Sequence, residues 1–204
     1  MRDGPDILQS VCEAVEAGQP VLAATTLADH YPFQPFTNAG RRYTAAQSTR
    51  VFMRDGFIDR YTGKRLIFPG TLRLLSQMFP TEFPFHNNWR TDACHFAFYE
   101  LFPTIDHVHP VSRGGADQAN NMVSTSMLKN AAKANFTLDE LGWQLFPPGD
   151  LASWDGLTGW FIRQAQISAG AMSPYLRRWS DAAIRAMGGD DGRGSPVNNA
   201  AESL

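Results

Sequence analysis

The sequence predicts an α+β fold: a mostly helical single domain around a small strand-containing core. Three observations predict it. Helical spacing of apolar residues recurs between caps and stops along the chain, while residues 104–109 form the best strand candidate. The third is composition: 204 residues, 43% of them hydrophobic, can bury a sizeable core without staples. The same composition excludes disordered, collagen-like and coiled-coil chains.

Residues 5–17 read as a first helix, with Leu8, Val11, Cys12 and Val15 on one stripe, ended by Gly18-Gln19-Pro20. Residues 30–38 hold prolines among aromatics and read as an extended loop. Thr44 precedes a helix through Arg54, which Gly56 closes. Residues 57–67 read as two extended pieces around a Thr62-Gly63 turn. Pro69-Gly70-Thr71 opens a helix over 72–78, and Pro80 stops it. An aromatic connector over 83–89 follows, then a helix capped by Thr91 or Asp92 that runs to Leu101. After Pro103 comes the strand, then a Gly-, Ser- and Asn-rich loop over 110–121 and a helix over 125–134. Two late helices are expected near 154–169 and 173–187. In outline, residues 1–56 form an N-terminal helical region packed on the core. Residues 57–142 form the core with its preceding helices, 143–187 the C-terminal helices, and 188–204 a polar, mobile tail.

Composition also bounds location and partners. Cys12 and Cys94 are the only cysteines, which excludes a disulfide framework and a four-cysteine zinc site and points to the reducing cytosol. No apolar run reaches the ~18–20 residues that span a bilayer, and the N-terminus lacks an apolar signal core. A cytoplasmic protein without membrane contact is expected. The formal net charge of −2 argues against non-specific nucleic-acid binding. It conceals a basic stretch, however: residues 40–77 carry eight Arg or Lys side chains (Arg41, Arg42, Arg50, Arg54, Arg60, Lys64, Arg65 and Arg73) against Asp55 and Asp59. Scattered arginines are ordinarily a solvated face, but such a face also suits phosphate.

The chemistry concentrates in residues 106–133. A strand ends in adjacent Asp106 and His107, the loop contains Gly114-Gly115, and the following helix carries Lys129, Asn130 and Lys133 on one sector. Asp106 and Asn130 offer hard oxygens suited to Mg²⁺ or Mn²⁺. The His107 imidazole titrates near neutrality and can take a proton from water. Arg113, Lys129 and Lys133 can hold phosphate oxygens. Together these side chains make a phosphodiester hydrolysis site. Alternating strand residues face opposite ways, so the strand must end, bulge or twist where Asp106 and His107 serve one site. Taken alone, the pair reads more readily as an Asp–His hydrogen bond at a strand end than as catalytic.

Asp106, His107, Pro110, Ser112, Gly114, Gly115, Asp117, Asn121, Asn130 and Lys133 stand in the register D-H-x-x-P-x-S-x-G-G-x-D, followed by Asn and N-x-x-K. This pattern resembles the HNH endonucleases, whose core is the ββα-metal fold, and more broadly standalone bacterial members. The resemblance implies a metal-dependent endonuclease acting on DNA, with RNA as the alternative substrate and a catalytically silent HNH binding module as the other reading. It implies His107 as general base, Asp106 and Asn130 as ligands of one divalent metal ion, and Asn121 as a brace for the loop. Products would carry 5′-phosphate and 3′-hydroxyl ends. Arg113, Lys129, Lys133, Arg60 and Lys64 would contact substrate. His95, Glu100 and His109 are candidates for supporting contacts; Glu100 either orients the site or forms a charge pair. Restriction or phage defence would be a fitting role, and a homodimer is compatible with the late helices. Many members add a zinc held by two Cys-x-x-Cys pairs. Here those positions are Asp59, Thr62, Ser126 and Lys129, so no structural zinc is expected.

Overall fold

A computed structural model describes residues 4–32, 43–167 and 172–188, and its fold is α+β. The chain divides into two compact units, Met1–Ala39 and Gly40–Leu204. The division falls after residue 39 and not after 56 because the helix over residues 45–54 packs within the larger unit. Among the described residues no helix is long and apolar enough to cross a membrane. Residues 33–38 of the expected extended loop, Arg41, Arg42, the end of the first late helix and the tail beyond Gly188 lie outside the described residues.

The smaller unit is a pair of packed helices, α1 (Gly4–Glu16) and α2 (Pro20–His30), burying Ile7, Ala14 and Ala23. Pro20 begins α2 instead of ending α1, since a first-turn proline forfeits no intrahelical bond.

In the larger unit, α3 (Ala45–Arg54) starts at a full capping box. The Thr44 hydroxyl accepts from the Gln47 amide, and the Gln47 side chain accepts from the Thr44 amide. Gly56, with φ +61°, turns the chain out of α3. Its missing Cβ also makes room for the Gly149 backbone, whose amide donates to the Asp55 carbonyl at 3.0 Å. Residues 57–67 form the expected bent pair, joined by an Ile58–Arg65 bridge. Next come α4 (Pro69–Met78) and a short α5 (Ala97–Glu100). The helix expected from Thr91 or Asp92 is confined to these four residues. Asp92 pairs with Arg90 instead of capping, and Trp89 sits at φ +52°, inside an aromatic cluster with Phe85 and Phe98.

β1 (Pro103–His107) pairs antiparallel with β2 (Met122–Ser126), and α6 (Met127–Lys133) follows directly. Helix over 125–134 was the expectation; β2 takes its first two residues. Ser126 is the N-cap of α6, its hydroxyl accepting from the Lys129 amide. β2 shows no apolar alternation because three of its four buried positions, Ser124, Thr125 and Ser126, are small and polar, with their hydroxyls hydrogen-bonded. Ser124 donates to the Val51 carbonyl and Thr125 to Asp59.

The remaining elements are α7 (Leu138–Leu141), α8 (Thr158–Ile167) and α9 (Pro174–Met187). α8 begins later than the expected 154 because Gly156 and Leu157 both have positive φ, and Asp155 receives the Leu157 and Gly159 amides. α9 opens at Ser173 and Pro174 as expected. Helices α3, α4, α8 and α9 enclose the core, where Phe52, Phe57, Phe68 and Phe161 are at most 2% exposed. Burying each such ring contributes roughly 1.5–3 kcal/mol. α3 also packs on both strands, which anchors the hairpin to this core.

Candidate active site

Thr104 and Asp106 share one face of β1 by strand alternation, and α6 covers that face. Asn130 Nδ2 donates to Thr104 Oγ1 at 3.0 Å and to the Ile105 carbonyl at 3.3 Å. One helical turn on, Lys133 Nζ lies 2.9 Å from Asp106 Oδ2 and donates to the His107 carbonyl at 2.8 Å. Tyr61 completes the arrangement, its hydroxyl donating to the same Asp106 Oδ2 at 2.6 Å. Both bonds to the Asp106 carboxylate thus fall on one oxygen, and the Asn130 amide is held by its nitrogen. Asp106 Oδ1 and Asn130 Oδ1 stand outside these bonds.

Lys133 is fully buried (0% exposed), which corrects its expected role. A buried ammonium clamped between a carboxylate and a carbonyl organises the strand end and does not reach a phosphate. Tyr61, at 6% exposure, has its phenol held well above the ordinary range, first by burial and then by the Asp106 charge and hydrogen bond. It therefore stays a neutral donor.

His107 is the last residue of β1 and turns to different partners. Its Nε2 lies 2.9 Å from Asp117 Oδ1 and 3.4 Å from the Tyr43 hydroxyl, which itself donates to Asp117 Oδ1 at 3.0 Å. Asp106 and His107 both keep the regular pairing with β2, opposite Val123 and Met122, and their side chains have separate partners. The contacts of the His107 ring all fall on Nε2 and leave Nδ1 outside them.

The intervening loop is fastened at Asn121. Its Oδ1 accepts from the His109 amide at 2.9 Å, and its Nδ2 donates to the carbonyls of His109 and Ala116 at 2.9 and 2.8 Å. Gly115 packs so closely that a Cβ would meet the His109 oxygen at 2.0 Å. Gly114, at φ +91°, closes the single 3₁₀ turn Val111–Arg113.

Several cations expected at substrate serve the fold. Arg60 donates to the Phe146 carbonyl and to Asp55 at 2.5 and 3.1 Å, which removes it from the contact surface. Arg54 ties α3 to the hairpin through the Ala119 and Met122 carbonyls, both at 2.6 Å. Arg65 lies over Trp154 and Arg73 over Phe85. Most described cations of the basic stretch thus have partners within the protein, although Arg50, Arg54, Lys64 and Arg65 remain exposed. Arg113 pairs with Glu140 at the surface, and that bond pushes the Glu140 carboxyl down to about 2. Lys129 sits 4.6 Å over the Trp143 ring. Lys64 pairs loosely with Glu100 at 3.4 Å, the charge-pair alternative for Glu100. His109 Nε2 bonds the Arg113 carbonyl, within the loop. His95 is exposed. It stacks on Phe83 and accepts from the Ala97 amide, with partners in the 83–97 connector and not among the Asp106 and His107 groups.

Four residues gained roles that local spacing did not signal. Asp117 belonged to the motif, and its bond to His107 was readable only as a loop return. Tyr43 lies just before a capping residue, and Tyr61 carried only its place beside the Thr62-Gly63 turn. Asp59, one of the positions aligned with cysteines, is 2% exposed. Its carboxylate accepts from Thr125 Oγ1 and the Tyr61 amide at 3.0 Å each and from the Ser126 amide at 3.1 Å, joining the 59–65 turn to the start of α6.

Among the described residues, no three His, Cys, Asp or Glu side chains form a metal-binding group; the candidate ligand pair here includes an amide, Asn130. No protein-family model, curated protein or solved structure matches the chain.

Proposed function

We propose that this chain is a metal-dependent HNH endonuclease that hydrolyses DNA phosphodiester bonds. One observation carries the reading: at the end of one β-hairpin, a carboxylate and an amide each have one oxygen left outside their hydrogen bonds, and the next residue along the strand is a histidine bonded to a carboxylate. The ten-position motif supports it independently.

The donor set fits a hard divalent cation. Asp106 Oδ1 and Asn130 Oδ1 are two oxygen ligands, and Mg²⁺ commonly takes one or two protein oxygens with water and phosphate completing its shell. When bound, such an ion would stabilise the charge of the pentacovalent phosphorane and of the departing 3′ oxygen. The protein's own residues do the rest. Nδ1 of His107 takes the proton of the attacking water as that water adds to phosphorus and the bond to the 3′ oxygen breaks, and the Asp117 carboxylate holds the imidazole in place. Tyr61 and Lys133 fix Asp106, while Thr104 and the Ile105 carbonyl fix Asn130. Arg113, Lys129 and Lys64, the surface cations, supply phosphate contacts.

A supercoiled plasmid incubated with Mg²⁺ or Mn²⁺ tests this. The wild-type protein is expected to convert it to nicked or linear DNA, and His107→Ala to lose at least ~10²-fold in rate, the scale of general-base catalysis. Equal cleavage by both proteins would overturn the assignment of the base. No cleavage by the wild type with either metal would overturn the reading in favour of a silent binding module. Cleavage confined to a matched RNA duplex would overturn the choice of DNA.

A further inference from the structure

We infer that Tyr61 is a positioning residue for the cation site: its buried hydroxyl, sharing Asp106 Oδ2 with the Lys133 ammonium, locks the carboxylate so that Oδ1 alone presents to the ion. The inference rests on the nuclease reading and extends it to a residue outside the motif.

A carboxylate on a strand end can rotate about χ2 and offer either oxygen, or both. Here Oδ2 takes the Tyr61 hydroxyl at 2.6 Å and Lys133 Nζ at 2.9 Å, so rotation would break both bonds. Donors on the remote oxygen fix a ligand's orientation, and their loss typically costs 10–100-fold in metal affinity. Tyr61 suits this task because it is itself held. Its amide donates to Asp59, the preceding Arg60 amide donates to the Ser124 carbonyl at 2.9 Å, and its ring lies 5.7 Å from that of Trp143. The hydroxyl thus arrives from a turn bonded to β2, while Lys133 arrives from α6. Two separate elements converge on one oxygen.

The test is Mn²⁺ titration of the full chain, by calorimetry and by the loss of free-ion paramagnetic resonance signal, without nucleic acid. Tyr61→Phe removes the hydroxyl and keeps the ring, and it is expected to weaken Mn²⁺ binding by about tenfold or more. Trp143→Leu strips packing from the same ring and leaves the hydroxyl, and is expected to hold Mn²⁺ affinity within about twofold of wild type. Unchanged affinity in Tyr61→Phe, with Mn²⁺ binding by wild type intact, would overturn this inference and leave the nuclease reading standing. An equal loss in both variants would also overturn it, by assigning the effect to packing. Wild-type protein that binds no Mn²⁺ would overturn both.

Discussion

Replacing Lys133 by Met removes the ammonium while keeping most of the side chain's length and apolar stem. Two bonds go: the one to Asp106 Oδ2 at 2.9 Å and the one to the His107 carbonyl at 2.8 Å. Lys133 is 0% exposed, so no solvent replaces it. Removing one partner of a buried pair generally costs ~3–5 kcal/mol, because the other charge is left uncompensated. Asp106 keeps its bond to Tyr61, which places the expected cost near the lower bound, at about 3 kcal/mol. With a urea m-value of ~2 kcal/mol/M, the midpoint falls by about 1.5 M. Tryptophan fluorescence is the assay, since all five tryptophans lie in the larger unit and report its unfolding. The same substitution in an Asp106→Asn background should cost less by ~1–2 kcal/mol, the coupling expected of directly bonded groups. A loss under ~1 kcal/mol, or equal losses in both backgrounds, would refute the claim that this ion pair holds the strand end.

Two further outcomes follow from the loop and its surface pair. Gly115→Ala should cost about 2 kcal/mol, since its Cβ would overlap the His109 carbonyl, and Gly114→Ala about 1 kcal/mol from backbone strain alone. Urea melts check the order, and amide exchange at His109 should quicken only in the Gly115 variant. The Glu140 carboxyl sits at about 2 in the folded chain against 4.5 ordinarily, so its pairing with Arg113 adds stability that is fully present above 4.5 and disappears as pH falls through about 2. A side-chain carbon NMR titration should find that midpoint, and Arg113→Ala should return it toward 4.5; a wild-type midpoint already near 4.5 would refute the pair.

Elements with local punctuation were legible in the chain. Thr44 with Gln47, Ser173 with Pro174, and Pro69 marked α3, α9 and α4 because capping and proline chemistry act within a few residues. β2 was hidden because its buried Ser124 and Thr125 are hydroxyls whose partners lie more than sixty residues upstream. The candidate ligands Asp106 and Asn130 and the candidate base His107 could be named from motif spacing. Lys133 was misjudged for a related reason: helical spacing places it beside Asn130 and says nothing of how deeply the sector is covered. Asp59 and Tyr61 took their roles from tertiary contact alone. A carboxylate that looks like surface charge in the sequence becomes, once buried, the acceptor for three donors.

That Asp59 joint has a consequence for how the hairpin survives changing surroundings. Its fastening is made of main-chain and side-chain hydrogen bonds that form as the turn meets α6, from atoms the polypeptide already carries. Nothing in this clasp can be stripped by a chelator or oxidised by peroxide. The geometry beneath Tyr61 and Asp106 can therefore set as the chain folds, from the polypeptide's own atoms.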